Sequence, residues 1–294
     1  MEEKGRLGKV GRGRTFTAVC LAVCLLGLWV WTRASEGAAH CVPQIARVSI
    51  EEILEKPNWD AADYQVLGEQ TGLSREALVF MEEQGRKKEL VALQEAYFAT
   101  VEVECVLNSI ISKTEYVVDE QGMPARVARI PYVEEGDILI TCCSHVFGWR
   151  NGHAAIVVDA DRRLVLEAQV LGSPSVITSL NVWEEYPSFL VLRLQGADRE
   201  ERTAIADYAR KYLTGVSYRI TAGIWERLLP GWAAVDLDQG SEANVPRGTQ
   251  CAHLVWYAYY QFGYNLDSDG GMIVTPKDIE ESNRLKIIQK YGVG

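Results

Sequence analysis

The spacing of apolar and polar positions changes twice along the chain. Residues 15–32 are nearly all apolar, and residues 42–112 carry apolar side chains at helical intervals. From about Glu115 the apolar residues come in short alternating or continuous runs separated by turn-forming residues, a pattern typical of strands. This division predicts three parts: a basic tail with a signal or membrane-anchor segment (1–34), a helical N-terminal region (35–114) and a third domain (115–294).

The first part has the composition of a membrane-targeting sequence. Residues 1–34 hold six basic and two acidic side chains, and the apolar run ends in Trp29-Val30-Trp31. A basic flank, an apolar run and an aromatic edge are typical of a signal peptide or an uncleaved anchor, although about 18 residues are marginal for a complete span. We favour an anchor, with everything after Arg33 outside the cytoplasm. Cleavage near Gly37-Ala38-Ala39 and secretion are the alternative.

The second part contains the start and stop signals of several helices. Asp60 and Ser74 are suited to the N-cap position, and Gly72 and Gly85 to the position that follows a helix. Another group of apolar residues at helical spacing lies within 90–97. We predict a small helical region, largely exposed to solvent, that packs on the third domain and has a structural role.

The third part begins with a series of predicted strands. They are short apolar or alternating runs, and turn residues such as Asp119-Glu120-Gln121-Gly122 separate them: 116–118, 126–130, 137–141, 153–158, 163–168 and 189–194. A helix over Asp198–Tyr212 follows the last of them. Hairpins followed by helices predict the α+β class, with an antiparallel sheet packed against helices.

The charge of the chain excludes one class of partner. The formal net charge is −10, and the residues after position 34 hold 24 basic against 38 acidic side chains. Nucleic-acid binding requires a basic surface, so we expect no nucleic-acid partner. The sequence also lacks a glycine-rich phosphate loop and a dinucleotide fingerprint, and no cofactor is predicted.

The cysteines and acidic residues do not match a common metal site. Five of the seven cysteines lie outside the apolar N-terminal run, so at least one is unpaired if the others form disulfides. Cys142-Cys143 with His145 and His153 match no common zinc spacing. Residues 267–271 resemble the opening of a calcium loop, but Met272 occupies the position of the turn glycine. We predict a polar turn there, and no metal site.

A candidate nucleophile lies at the start of the helix predicted over Thr249–Gly263. Cys251 falls in the first turn, where unpaired N–H groups and the positive end of the helix dipole favour a thiolate. Catalytic cysteines are activated in this way. A buried structural cysteine in an aromatic helix is the alternative that this stretch leaves open.

A thiolate nucleophile needs a base and a third group that orients the base. His153 is the first candidate for the base, because it opens a predicted strand directly after Asn151-Gly152. His145, in the loop before that strand, is the second. His253 lies about 200° around the helix from Cys251 and faces away from it.

Glu167 is the candidate for the third group. The predicted turn near residues 159–162 folds the following strand back beside that of His153, which places Glu167 opposite or diagonal to it, with Cβ atoms about 5–8 Å apart. A carboxylate there holds the imidazole and stabilises its charged form, and a charge within the apolar run 164–168 needs such a reason. A Glu167 that faces outward from a half-exposed strand is the alternative.

Several short motifs follow one another in a specific order along residues 130–288. They are Gly136-Asp137-Ile138-Leu139, Gly152-His153-Ala154-Ala155-Ile156-Val157, Leu166-Glu167-Ala168, Gly215-Val216-Ser217-Tyr218, Cys251-Ala252-His253-Leu254-Val255-Trp256, and Val274-Thr275-Pro276-Lys277-Asp278-Ile279 with Ser282. This succession resembles the permuted papain-like hydrolases of the YiiX/YaeF type. These are circularly permuted relatives of the NlpC-type cell-wall peptidases, and lecithin retinol acyltransferase belongs to the same broader group. In the permuted members the strand with the histidine precedes the helix with the cysteine, as it does here.

The resemblance implies a circularly permuted papain-like fold. It implies Cys251 as the nucleophile, His153 as the base, Glu167 as the third residue and Tyr218 near the oxyanion. The implied activity is acyl transfer by a thiol hydrolase, an amidase or peptidase. We expect its substrate to be a cell-wall peptide or another amide of the cell envelope, and its location to be the cell membrane or the exterior.

Some features leave other functions open. The chain departs from the family pattern at Ala252, where serine is frequent, and at Arg219, where an acidic residue is frequent. Because relatives act on lipids, a lipid-directed acyl hydrolase or acyltransferase is a second interpretation, and an inactive binding protein on the same fold is a third. The tryptophan-containing segment 224–232 is interpreted as a packed insertion, with a wall of the substrate cleft or a membrane contact as alternatives.

Overall fold

The computed structural model describes residues 16–17, 19–31, 37–224, 235–236 and 244–294. Its α-helices are α1 (16–17 and 19–31), α2 (Glu51–Leu54), α3 (Ala61–Thr71), α4 (Arg75–Glu83), α5 (Glu89–Phe98), α6 (Arg199–Tyr212), α7 (Cys251–Tyr260) and α8 (Pro276–Glu280). The strands of its two larger sheets are β1 (Val103–Leu107), β2 (Ser112–Val117), β3 (Ile138–Thr141), β4 (Ser144–Val146), β5 (Trp149–Arg150), β6 (His153–Asp159), β7 (Leu164–Glu167), β8 (Val176–Ser179), β9 (Phe189–Leu194) and β12 (Leu285–Tyr291). A short ribbon consists of β10 (Val235–Asp236) and β11 (Asn244–Val245), and a 3₁₀ helix spans Leu180–Glu185.

The N-terminal helices begin and end at the signals in the sequence. The Asp60 carboxylate accepts hydrogen bonds from the first turn of α3 and forms a capping box with Asp63. Gly72 follows α3 with φ 72°, and the Ser74 hydroxyl caps α4. Local hydrogen bonds of this kind depend on residues three or four apart, which is why the sequence predicts them.

The main sheet has six strands in the order β12-β9-β3-β6-β7-β8, and every neighbouring pair is antiparallel. Its register pairs Thr141 of β3 with His153 of β6, and Ala155 of β6 with Glu167 of β7. The structure thus confirms the α+β class, with antiparallel sheets packed against helices.

Helices cover both faces of the main sheet. Leu139 and Val157 pack with α3, α4 and α5 on one face, whereas Ile140 and Ile156 pack with α6 and α7 on the other. Successive residues of a strand point to opposite faces, so a strand buried on both sides is a continuous apolar run rather than an alternating one.

The helical N-terminal region is part of this core. The prediction that it is largely exposed is therefore wrong for its apolar positions, among which Leu67, Leu78, Met81 and Leu90 are fully buried. They pack in one cluster with the sheet residues Ala155 and Val165. Burial against a distant sheet is a tertiary effect, and helical spacing alone does not show how large the covered face is.

A second, smaller antiparallel sheet has the strand order β1-β2-β4-β5. Its strand Val103–Leu107 lies within the region predicted to be helical, and pairs with Ser112–Val117. The strand predicted over 126–130 does not form. That segment packs into the core instead, where the Ile130 N–H donates to the Glu184 carboxylate at 2.9 Å.

The described residues of α1 are all exposed and mostly apolar. No helix in the described ranges is both long enough and apolar enough to cross a membrane. Most of the predicted basic tail, at 1–15, and most of the predicted tryptophan-containing insertion, at 225–232, lie outside the described residues.

Candidate active site

Cys251 is the first residue of α7. Gln250 is its N-cap, and the first hydrogen bond within the helix runs from the Leu254 N–H to the Gln250 carbonyl at 2.9 Å. The N–H groups ahead of Leu254 have no acceptor within their own helix, so the Cys251 thiol lies in the positive potential of the helix start. The residue is 7% exposed, and its Sγ lies 3.8 Å from Gln250 Oε1.

Gly152 places His153 at the start of β6. Its φ is 75°, and a Cβ atom there would lie 2.7 Å from the Thr141 carbonyl oxygen. Only glycine fits such a position without strain or a shift of its neighbours. The chain therefore enters β6 directly beside the end of β3, and His153 is held at the edge where α7 begins.

Glu167 is the last residue of β7 and lies behind His153. Its Oε2 is 2.8 Å from His153 Nε2. Because Glu167 pairs with Ala155, the two residues are diagonal neighbours across the hairpin. The other oxygen, Oε1, accepts hydrogen bonds from Gln169 Nε2 at 2.7 Å and from the Thr178 hydroxyl. These donors hold a carboxylate that is 1% exposed.

The surroundings of His153 determine the charge of its imidazole. Burial disfavours the imidazolium form, but the Cys251 thiol and the Glu167 carboxylate outweigh burial and raise the pKa of His153 to about 10. Nε2 faces Glu167, which leaves Nδ1 as the ring nitrogen for the thiol. His153 therefore holds its proton at neutral pH.

Tyr218 and Gln250 border the thiol on two sides. The backbone of Tyr218 forms a parallel bridge with Thr249, just ahead of Cys251. Burial and the neighbouring Cys251 raise the pKa of Tyr218 well above its ordinary value, so its hydroxyl is a donor at neutral pH. The Gln250 side chain is anchored, because its Nε2 donates to the Val274 carbonyl at 2.6 Å.

A cavity of about 200 Å³ adjoins Cys251, His153 and Tyr218. One wall comes from the main sheet and α7, and the other from the small sheet. The residues of the small sheet and its loop that line the cavity are mainly polar: Asn108, Ser112, Lys113, Thr114, Tyr116, Ser144, His145 and Val146. The structure thus brings the four predicted site residues together at the junction of the two sheets.

The other histidines have different surroundings. His145, the second candidate for the base, lines the same cavity, but its Nε2 lies 3.3 Å from Glu115, which is paired with Arg150 at 2.7 Å. His253 is buried, and its Nδ1 lies 3.2 Å from the Thr249 hydroxyl. The thiol and the carboxylate that a base requires are found at His153.

Trp183 is part of the site but was not predicted from the sequence. Its ring lies on the 3₁₀ helix and stacks on the His153 imidazole, with centroids 5.4 Å apart and planes 17° apart. An aromatic face at this position stabilises a charged imidazole and limits its rotation. No spacing rule connects a tryptophan after β8 with a histidine at the start of β6.

A second thiol, with a perturbed pKa and not predicted from the sequence, lies directly after β3. The Ser188 hydroxyl is 3.1 Å from Cys142 Sγ and 3.2 Å from Cys143 Sγ. The hydrogen bond from the Cys143 thiol, together with Ser188 and Arg150, outweighs burial and lowers the pKa of Cys142 to about 5. Burial raises the pKa of Cys143. These contacts favour the thiolate form of Cys142 over that of Cys143.

Three carboxylates meet near α8. One oxygen each from Asp267, Asp269 and Asp278 lies within 4.8 Å of the others. Asp269 accepts a hydrogen bond from the Gly271 N–H at 2.6 Å, as a polar turn requires. Asp278 belongs to the capping box of α8 and accepts from the Thr275 N–H at 2.7 Å.

Comparisons with known proteins identify one similar structure. No protein-family model and no curated protein sequence match the chain. The solved structure of the metalloprotein YiiX from Escherichia coli O157:H7 superimposes with a TM-score of 0.40 and 15% sequence identity. The match covers 54% of this chain and 98% of that one. A similarity at this level does not define the function of the chain.

Proposed function

We propose that this protein is an extracytoplasmic thiol hydrolase of the permuted papain-like type, which cleaves an amide bond through an acyl-enzyme on Cys251. The observation that carries the proposal is the 2.8 Å contact between Glu167 and His153 beside a cysteine at a helix N-terminus. A structural cysteine needs neither a charged imidazole nor a buried carboxylate beside it, and burying both is costly even when they pair with each other.

The proposed reaction follows from the positions of the groups. The Cys251 thiolate attacks the carbonyl carbon, and the N–H groups at the start of α7 and the Tyr218 hydroxyl stabilise the oxyanion. His153 then gives its proton to the leaving nitrogen, and the C–N bond breaks. A water molecule gives a proton to His153, attacks the thioester and releases the acid, which restores Cys251.

The cavity favours a small polar group at the reacting carbonyl. Its volume of about 200 Å³ is below the roughly 300–1,000 Å³ typical of pockets that enclose a drug-sized ligand. Ser112, Thr114 and Ser144 offer hydrogen bonds along the wall that the small sheet forms. These features support a peptide or amide substrate of the cell envelope over a long acyl chain.

The test uses the full chain purified in detergent. We would incubate it with isolated cell-wall peptides and with phospholipid vesicles, and follow new amino groups and free fatty acids. The proposal expects amine release by the native chain, none by Cys251→Ser, and a thioester adduct on the Cys251 peptide in mass spectra. Cys105→Ser is the matched control, because Cys105 is exposed on β1 and does not line the cavity.

Release of fatty acids alone would show a lipid-directed enzyme. If neither product appears and no adduct forms on Cys251, the hydrolase proposal is wrong and the binding-protein interpretation gains support.

A further inference from the structure

Two hairpin ends of the small sheet lie side by side. The loop between β1 and β2 and the turn between β4 and β5 meet where Ser112 pairs with Val146, and the Phe147 N–H donates to the Ile111 carbonyl at 2.8 Å. Several large apolar side chains are exposed at this end. We call four of them the apolar tip: Leu107, Ile110, Phe147 and Trp149, with exposed fractions of 78%, 104%, 55% and 43%.

The apolar tip carries no charge. Residues 106–111 and 146–149 include no Asp, Glu, Lys or Arg, although nearly a quarter of the chain is charged. Exposed hairpin ends are normally polar or charged, which keeps sheets soluble and separate. Clustered exposed apolar residues mark a surface that contacts something other than water.

The turn at the tip has an unusual residue for its conformation. Phe147 and Gly148 form a two-residue loop in which both φ angles are positive, at 53° and 80°. Such a turn favours Asn, Asp or Gly at its first position, and an aromatic residue there is strained. Phe147 is therefore unfavourable for the turn itself, so the turn conformation does not account for its exposed ring.

The apolar helix α1 lies against this tip. A Cβ atom on Gly148 would lie 3.2 Å from Trp29 Nε1, so the indole packs directly on the turn. All described residues of α1 are exposed, and most are apolar. Within the described residues, α1 and the tip thus present exposed apolar side chains next to each other.

We propose that the apolar tip inserts, together with α1, into the interfacial layer of a phospholipid bilayer and holds the mouth of the Cys251 cavity at the membrane surface. Aromatic and aliphatic side chains suit this layer, and contact with it does not require a spanning helix. Ser112 and Val146 border both the tip and the cavity, so insertion of the tip also orients the cavity. The membrane contact does not depend on the proposed hydrolase activity.

Photo-cross-linking in lipid nanodiscs tests this surface. The full chain carrying Cys251→Ser, which removes any turnover, would be placed in discs of phosphatidylethanolamine and phosphatidylglycerol. Benzoylphenylalanine would replace Ile110, Phe147 or Met123, one at a time. Met123 is the control, because it is 61% exposed in the turn at the opposite end of β2. We expect lipid adducts from positions 110 and 147 and none from 123.

A second measurement checks the role of the apolar side chains. With the cross-linker at Leu107, the double change Ile110→Asp and Phe147→Asp should abolish the lipid adduct while leaving the circular dichroism spectrum unchanged. Equal lipid adducts at positions 110, 147 and 123 would overturn the proposal. So would cross-links from the tip to another protein copy in place of lipid, because the tip would then be a protein interface.

Discussion

Glu167 Oε2 and His153 Nε2 lie 2.8 Å apart, although the two residues are on different strands and 14 positions apart in the chain. The contact exists because the β6–β7 hairpin sets Glu167 diagonally across from His153. The carboxylate is buried and bonded by Gln169 and Thr178, so it cannot turn away without breaking three hydrogen bonds. This relationship decides the charge of the imidazole next to the proposed nucleophile.

Replacing Glu167 by Gln tests that relationship. The amide keeps the shape but loses the charge that stabilises the imidazolium, and the pKa of His153 should fall. A hydrogen bond to a charged group contributes about 1.5–3 kcal/mol, so alkylation of Cys251 at neutral pH should slow about ten- to a hundredfold. The rate would be measured with iodoacetamide by mass spectrometry of the Cys251 peptide across the pH range. Glu200→Gln, on the exposed start of α6, is the control and should leave the rate unchanged.

The stability of the fold should depend on the protonation of His153. Its pKa in the folded chain is about 10, above the value of about 6.5 in an unfolded chain. The folded state therefore binds an extra proton between these values, and the resulting stabilisation is complete below about pH 6.5 and is lost as the pH rises through about 10. Urea denaturation measures the free energy of unfolding of the native chain and of His153→Gln. The native chain should be the more stable at neutral pH, and this difference in free energy should shrink as the pH becomes alkaline. A difference that is constant with pH would contradict a raised pKa.

Cys142 should compete with Cys251 for thiol reagents. Its pKa of about 5 makes it a thiolate in weak acid, and its sulfur is only partly buried. Iodoacetamide at about pH 6 should modify Cys142 faster than Cys105, although Cys105 is exposed. The changes Ser188→Ala and Arg150→Gln should each slow the labelling of Cys142 and leave that of Cys251 unaffected. Slower labelling of Cys142 than of Cys105 would show that limited access to the Cys142 sulfur outweighs its lowered pKa.

The buried pair of Asp137 and Arg193 should be needed for the stability of the main sheet. Arg193 Nε and Nη2 each donate to one Asp137 carboxylate oxygen at 2.7 Å. The pair thereby joins the start of β3 to β9. Arg193→Leu leaves a buried carboxylate without its partner and should lower the free energy of unfolding by about 3–5 kcal/mol. Arg162→Leu is the matched control, because that side chain is 80% exposed and should change stability by no more than about 0.5 kcal/mol. Chemical denaturation measures the change in the free energy of unfolding for each variant. Equal changes for Arg193→Leu and Arg162→Leu would show that the buried pair contributes no more to stability than an exposed arginine.

Several elements of the fold are predictable because their causes are local. The Asp60 and Ser74 caps, the glycine after α3 and the strand Phe189–Leu194 all follow from neighbouring residues. The strand Val103–Leu107 was missed because its pairing partner, and not its own composition, makes it a strand. The alternation over 126–130 predicts a strand, but the same apolar pattern also fits a non-strand segment that packs into the core.

The sequence by itself determined the α+β class, the position of Cys251 at the start of a helix and the order of the motifs, since caps, turns and hydrophobic runs are encoded by residues close together in the chain. The tertiary structure alone decided that both faces of the main sheet are covered, that Trp183 stacks on His153 and that Ser188 joins Cys142 and Cys143. It also brought the apolar ends of two hairpins beside α1. These contacts join residues far apart in the chain, and their geometry is set by packing of the whole domain, which no local pattern records.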